Sequence, residues 1–143
     1  MESIVQAKRV LEIFKEMSQI PRESGNEKGI SDYIVNFAKN LGLEVHQDDQ
    51  FNVVIKKPAS PGYENRPSII LQGHIDMVCV RDHDSNHDFS KDPIANIIEG
   101  EWMHADHTTL GADNGMGGAM MLAILEDDSQ QHGPMQLLFT TNE

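Results

Sequence analysis

Two short stretches carry the residue types that hold metal ions and move protons. The first is Gly73-His74-Ile75-Asp76, which sets an imidazole and a carboxylate two residues apart. In extended backbone such residues leave the chain on the same side. The imidazole could then bind an ion through one nitrogen, while Asp76 holds the other ring nitrogen or sits just behind it and fixes the tautomer. A lone His-x-Asp is ordinarily a polar pair and nothing more. This one follows the apolar run Ser68-Ile69-Ile70-Leu71, and the carboxyl ends of strands are where open α/β sheets place ligands. The second stretch, Gly111-Ala112-Asp113-Asn114-Gly115, puts an acid between glycines at an expected helix start. Backbone can approach closely there and a carboxylate is well placed. With both oxygens free, Asp113 could bridge two cations; equally, Asp113 or Asn114 could simply cap the helix. Glu143, at the end of a third apolar run, gains meaning only beside the others.

The elements that must position these residues can be read from apolar periodicity. Ile4, Ala7, Val10, Leu11, Phe14 and Met17 form a stripe that predicts a first helix ending before Pro21. Ser24-Gly25-Asn26-Glu27 has the form of a capping box. It is followed at helical spacing by Ile30, Ile34, Phe37 and Leu41, with Gly42 as the stop. Leu43 to His46 and Phe51 to Lys56, rich in branched residues, read as a hairpin, and Pro58 to Pro67 as a loop. The unbroken apolar run before His74 predicts a strand covered on both faces of an α/β layered fold. Ile94 to Ile98 and Glu101 to His104 suggest short strands around Gly100. Gly117 to Leu125 is apolar on nearly every side and predicts a helix buried in the core. Met135 to Thr140 reads as an interior strand that delivers Glu143. A native domain seldom stops at the tip of an interior strand, so the 143-residue chain is expected to be incomplete.

Composition narrows the partners. A net charge of −12 disfavours nucleic acid and anionic membrane surfaces and favours a cation. The single cysteine, Cys79, permits no internal disulfide and fits a reducing compartment. The N-terminal stretch scatters charges among its apolar residues, unlike a signal peptide or a spanning helix, so a cytoplasmic protein is the expectation. Other polar signals have ordinary explanations. Asp82-His83-Asp84 with His87-Asp88 reads as a solvated loop, and Cys79 as a small buried hydrophobe. Met116, Met120 and Met121 read as core filling, and His46, His104 and His132 as surface or turn residues.

Taken together, Leu71-Gln72-Gly73-His74-Ile75-Asp76-Met77-Val78, His87-Asp88-Phe89 with Lys91-Asp92-Pro93-Ile94, Thr108 to Gly115 and Thr140-Thr141-Asn142-Glu143 resemble the M20 family of metallopeptidases. Within it, they are similar to the bacterial Xaa-His dipeptidases. The likeness spans essentially residues 1–143 and implies the N-terminal, incomplete part of a layered zinc-peptidase-like catalytic domain. It implies a mostly parallel mixed sheet flanked by helices, with the family's lid domain absent. It further implies that His74 binds one zinc ion, that Asp113 bridges two, that Asp76 supports His74 and that Glu143 is the general base. Manganese or cobalt would also suit these donors. The implied reaction is hydrolysis of unblocked dipeptides, with a related deacylase or tripeptidase as runner-up. A full-length protein would dimerise through the lid. Further ligands of the family site would follow Glu143, so the chain alone is expected to be an inactive or weakly metal-binding fragment. Two positions depart from the pattern: relatives usually carry a small residue where this chain has His107, and Gly73 often appears as another small residue.

Overall fold

The computed structural model describes residues 2–143, with side chains from Gln6 onward. Three helices and six strands follow one another as α1 (Glu2–Ser18), α2 (Lys28–Asn40), β1 (Glu44–Gln47), β2 (Val53–Lys57), β3 (Ile69–His74), β4 (Asn96–Glu99), β5 (Trp102–Ala105), α3 (Ala112–Glu126) and β6 (Met135–Thr140). The main sheet runs in the order β1-β2-β6-β3, and β4 and β5 form a separate hairpin. β6 pairs in parallel with β3 and antiparallel with β2, which pairs antiparallel with β1. The sheet is therefore mixed, as expected. The expected bias towards parallel pairing is not met among the described residues, because the hairpin before β3 contributes two antiparallel pairings.

Alternation along the strands sorts the two faces. Val53, Ile55, Leu137 and Phe139 are fully buried on one face and share a core with Ile13, Phe14 and Met17 of α1, Ile30 and Ile34 of α2, and Leu122 of α3. At about 1.5–3 kcal/mol for each large apolar side chain removed from water, this core is the main source of stability. The register puts Val54, Ile70 and Leu138 on the opposite face, where Ile70 is 65% exposed. Among the described residues β3 is an edge strand and its apolar run is covered on one side, where cover on both faces was expected.

The helices follow the predicted periodicity with local shifts. In α1 the inward residues are Val10, Ile13, Phe14 and Met17, whereas Ala7 and Leu11 face outward. Leu11 falls one 100° step beyond the true face, and Ile13 takes its place. Ile4 lies outside the described side chains. In α2, Ile30, Ile34 and Ala38 are buried and Leu41 is exposed at the C-cap before Gly42, whose φ is 71°. α3 is buried along Gly115, Gly118, Ala119, Met121, Leu122 and Leu125, but Met120 and Ile124 are exposed. It is thus not buried on every side, and Met120 does not fill the core. Lys57 occupies a core-facing position of β2 and is buried. Its ammonium donates to the carbonyls of Ile124 and Asp127 at 2.8 Å each, satisfying the end of α3. Among the described residues no helix is long and apolar enough to cross a membrane.

Candidate metal centre

β3 and β6 end side by side, with His74 paired to Thr140 in parallel register. The carboxyl ends of these strands and the start of α3 meet at one point. His74 Nδ1 lies 3.0 Å from the Asp76 carbonyl, an arrangement that orients the ring. Nε2 then points at two carboxylates, Asp113 Oδ1 at 3.1 Å and Glu143 Oε2 at 2.9 Å. Ligand atoms of His74, Asp113 and Glu143 all lie within 4.8 Å of one another. Burial disfavours charge on the ring, but the Asp113 hydrogen bond and the charges of Glu143 and Asp76 outweigh it. The His74 imidazole therefore titrates above its ordinary value. Two carboxylates converging on one imidazole nitrogen call for a cation, whether a proton or a metal ion. The separations resemble ligand–ligand edges around an ion with bonds of about 2.0–2.2 Å, so this donor set fits zinc or a similar divalent ion.

Asp76 is 2% exposed. Its Oδ2 accepts the Ser24 hydroxyl at 2.5 Å and the Glu143 amide at 3.3 Å. Its Oδ1 has no hydrogen-bond partner and lies 3.5 Å from His74 Nδ1. The carboxylate therefore stands behind the imidazole, while the Asp76 backbone carbonyl makes the direct contact. Of the two arrangements left open by the sequence, this is the second.

Glu143 is placed by backbone amides. Three consecutive N–H groups each donate to a side chain from a different part of the chain: Thr141 to Asn52 at 2.9 Å, Asn142 to Glu27 at 3.1 Å and Glu143 to Asp76. This overturns the expected capping box. Glu27 is indeed the residue before α2, but it makes no side-chain cap. Its carboxylate accepts from Gly25 and Asn142, and the Ser24 hydroxyl is taken by Asp76. The Ser-x-x-Glu spacing is genuine; its hydrogen bonds go to the site.

Asp113 does not cap α3 either. Its side chain makes no bond to the helix backbone, Asp113 and Asn114 have non-helical backbone angles, and the peptide between them is cis. The Asp113 side chain is 95% exposed and reaches across to His74. Asn114 takes the capping role that the sequence allowed it, its Oδ1 accepting the Gly117 amide three residues on at 3.1 Å. A β-carbon at Gly73 would come within 2.9 Å of its amide nitrogen.

Ser24, Glu27 and Asn52 carry site geometry that sequence reasoning missed, and so does Arg22. The only signal for the first two was the Ser-x-x-Glu spacing, and for Arg22 a basic residue just after Pro21. The remaining histidines stay apart from the cluster. His83 is fully solvated, and His107 bonds Asp82 at 2.7 Å on the surface. The His87 ring packs against Phe89 at a tilt of 58°, with ring centres 4.6 Å apart. Cys79 is half-buried, and burial, with the Glu23 charge adding, pushes its thiol up to about 11, which suits an inert side chain.

A helix-backed mixed sheet thus gathers an imidazole and acidic side chains at its strand ends, where α/β folds place their ligands. No family model matches the chain. It is 47% identical over 132 residues to the cytosol non-specific dipeptidase of Escherichia coli K12, matching 92% of this chain and 27% of that protein. It superposes on the aminoacylhistidine dipeptidase of Vibrio alginolyticus with a TM-score of 0.91 at 45% identity, covering 94% of this chain and 28% of the other. A tripeptidase from Staphylococcus aureus follows at a TM-score of 0.77 and 27% identity, covering 95% and 36%. The chain belongs to the M20 metallopeptidase family, where it resembles the aminoacyl-histidine dipeptidases and spans about a quarter of their length.

Proposed function

We propose that this chain supplies part of the active site of a two-zinc peptidase that hydrolyses small unblocked dipeptides, Xaa-His among them. Manganese or cobalt are acceptable to the same donors. The observation that carries the reading is the convergence of His74, Asp113 and Glu143 at the ends of β3 and β6 in a fold shared with dipeptidases. His74, through Nε2, and the exposed Asp113 carboxylate would hold the ions. Divalent ions held there supply Lewis acidity, which lowers the pKa of water and polarises the scissile carbonyl. Asp76 and its carbonyl hold the ring in one orientation. Glu143, 69% exposed and open to substrate, takes a proton from the attacking water and returns it to the leaving amine.

His74 and Asp113 are two inner ligands, against the three or four protein ligands of a usual zinc site. Residues 1–143 alone are therefore read as a weak zinc binder with little or no turnover. The test is a calorimetric zinc titration of the chain beside a His74→Ala/Asp113→Ala variant, with Ala-His hydrolysis followed in the same samples. Weak binding that the variant loses, without hydrolysis, supports the reading. Identical titrations remove the metal site, and fast turnover by the chain itself refutes its incompleteness.

The likeness to a tripeptidase favours one second reading, the same chemistry on a longer peptide; a related deacylase is the alternative that rests on the family resemblance alone. The incomplete first-domain segment, a cytoplasmic setting and homodimerisation through a lid belong to the proposal as the family resemblance implies them. So does the absence of nucleic-acid and membrane partners, in keeping with the charge of −12.

A further inference from the structure

Arg22 is 2% exposed and lies directly beneath the cluster. Its guanidinium donates to the Ile75 carbonyl at 3.2 Å and to the Gly111 carbonyl at 2.8 Å. Ile75 stands between His74 and Asp76, and Gly111 stands two residues before Asp113, so one rigid cation joins the two segments that carry the proposed ligands. The surroundings are shaped to admit it. A β-carbon at Gly111 would come within 2.6 Å of the Arg22 Nη2 atom, and one at Gly115 equally within 2.6 Å. The glycines that bracket Asp113 thus make room for a guanidinium. The backbone of the same residue is tied in as well, since the Met77 amide donates to the Arg22 carbonyl at 2.9 Å. Burial lowers the guanidinium to about 10, with the Asp76 charge among the opposing influences, so it stays charged at neutral pH.

We propose that Arg22 is a positioning residue of the metal centre, whose two-carbonyl bridge sets the separation between the His74 and Asp113 segments. A lysine cannot replace it, because a single ammonium lacks the planar fork that reaches two carbonyls at once. The inference rests on the metal reading for its effect on ion binding, but the bridge itself makes a prediction without metal.

The experiment compares the 143-residue chain with Arg22→Met, Arg22→Lys and a core control, Leu125→Ala, which is 2% exposed and away from the site. Zinc affinity is measured by calorimetry and amide hydrogen exchange by NMR in metal-free protein. Arg22→Met should weaken zinc binding about tenfold or more, with Arg22→Lys close behind. It should also accelerate exchange at Met77 and Gly115 more than elsewhere, whereas Leu125→Ala leaves affinity within about twofold. Unchanged affinity in both arginine variants, or an equal loss in the control, overturns the proposal. If the parent chain takes up no zinc, the metal reading fails and exchange alone decides. Selective acceleration at Met77 and Gly115 then supports the bridge, and uniform acceleration refutes it. Should Arg22→Met not fold, the same readouts on Arg22→Lys decide.

Discussion

The hydroxyl of Ser24 and the carboxylate of Asp76 should be energetically coupled, and a double-mutant cycle measures by how much. Asp76 is almost completely buried, and its Oδ2 accepts the Ser24 hydroxyl at 2.5 Å and the more distant Glu143 amide at 3.3 Å. A hydrogen bond to a charged group contributes about 1.5–3 kcal/mol. Ser24 itself is exposed, so water replaces part of what is lost, which places the coupling at the low end, about 1–2 kcal/mol. Asp76→Ala removes this bond, the Glu143 bond and a negative charge that faces buried Arg22, and should cost about 3 kcal/mol. Ser24→Ala should cost about 1–2 kcal/mol, and the double variant less than the sum by the coupling. Urea unfolding of the four proteins gives the values, provided the slopes agree. A coupling below about 0.5 kcal/mol would refute the claim that Ser24 serves the site and would return it to an ordinary loop or capping role.

Two further outcomes follow from the same geometry. Lys57→Met removes two 2.8 Å bonds to the carbonyls that end α3 while relieving the burial of an ammonium. The balance should cost about 2–3 kcal/mol in urea unfolding, and a neutral result would contradict the cap. His107 titrates above its ordinary value because of its hydrogen bond to Asp82, with Asp106 adding to the effect. Its raised value means that the pairing is fully present below the ordinary histidine range and is lost as pH rises through the folded-state value. An NMR titration should place the His107 ring above that of Asp82→Asn, and coincident curves would exclude the pair.

Much of the fold was legible because the burial pattern is strongly periodic. Phe14 and Met17, Ile30 and Ile34, and the alternation of Val53 and Ile55 each identify an element and its inward face. Where the pattern misled, a neighbour or its absence decided. The run at Ile69-Ile70-Leu71 looks like an interior strand, yet among the described residues β3 lies at an edge and Ile70 is exposed. Apolar content alone does not report which faces are covered. Leu11 is apolar but lies beyond the inward arc, where Ile13 competes better for the core.

The site shows a different kind of legibility. His74, Asp113 and Glu143 stood out by residue type and by place, at two strand ends and an expected helix start, but each alone had an ordinary explanation, and it was the family resemblance that joined them into one site. The groups that hold them did not stand out, because a hydrogen bond from Ser24 to Asp76, or from the Asn142 amide to Glu27, joins residues far apart in sequence and leaves no spacing rule. Ser24-x-x-Glu27 illustrates the difficulty. The same residues serve equally well as a local cap or as long-range partners, and propensity cannot separate the two. What separates them is competition: Asp76 is a buried anion in need of donors, and the exposed start of α2 can be hydrated instead. The connection between the first two helices, from Arg22 to Glu27, is thus selected by the site it supports rather than by the helix it precedes. The segments bearing His74, Asp113 and Glu143 are each hydrogen-bonded to it.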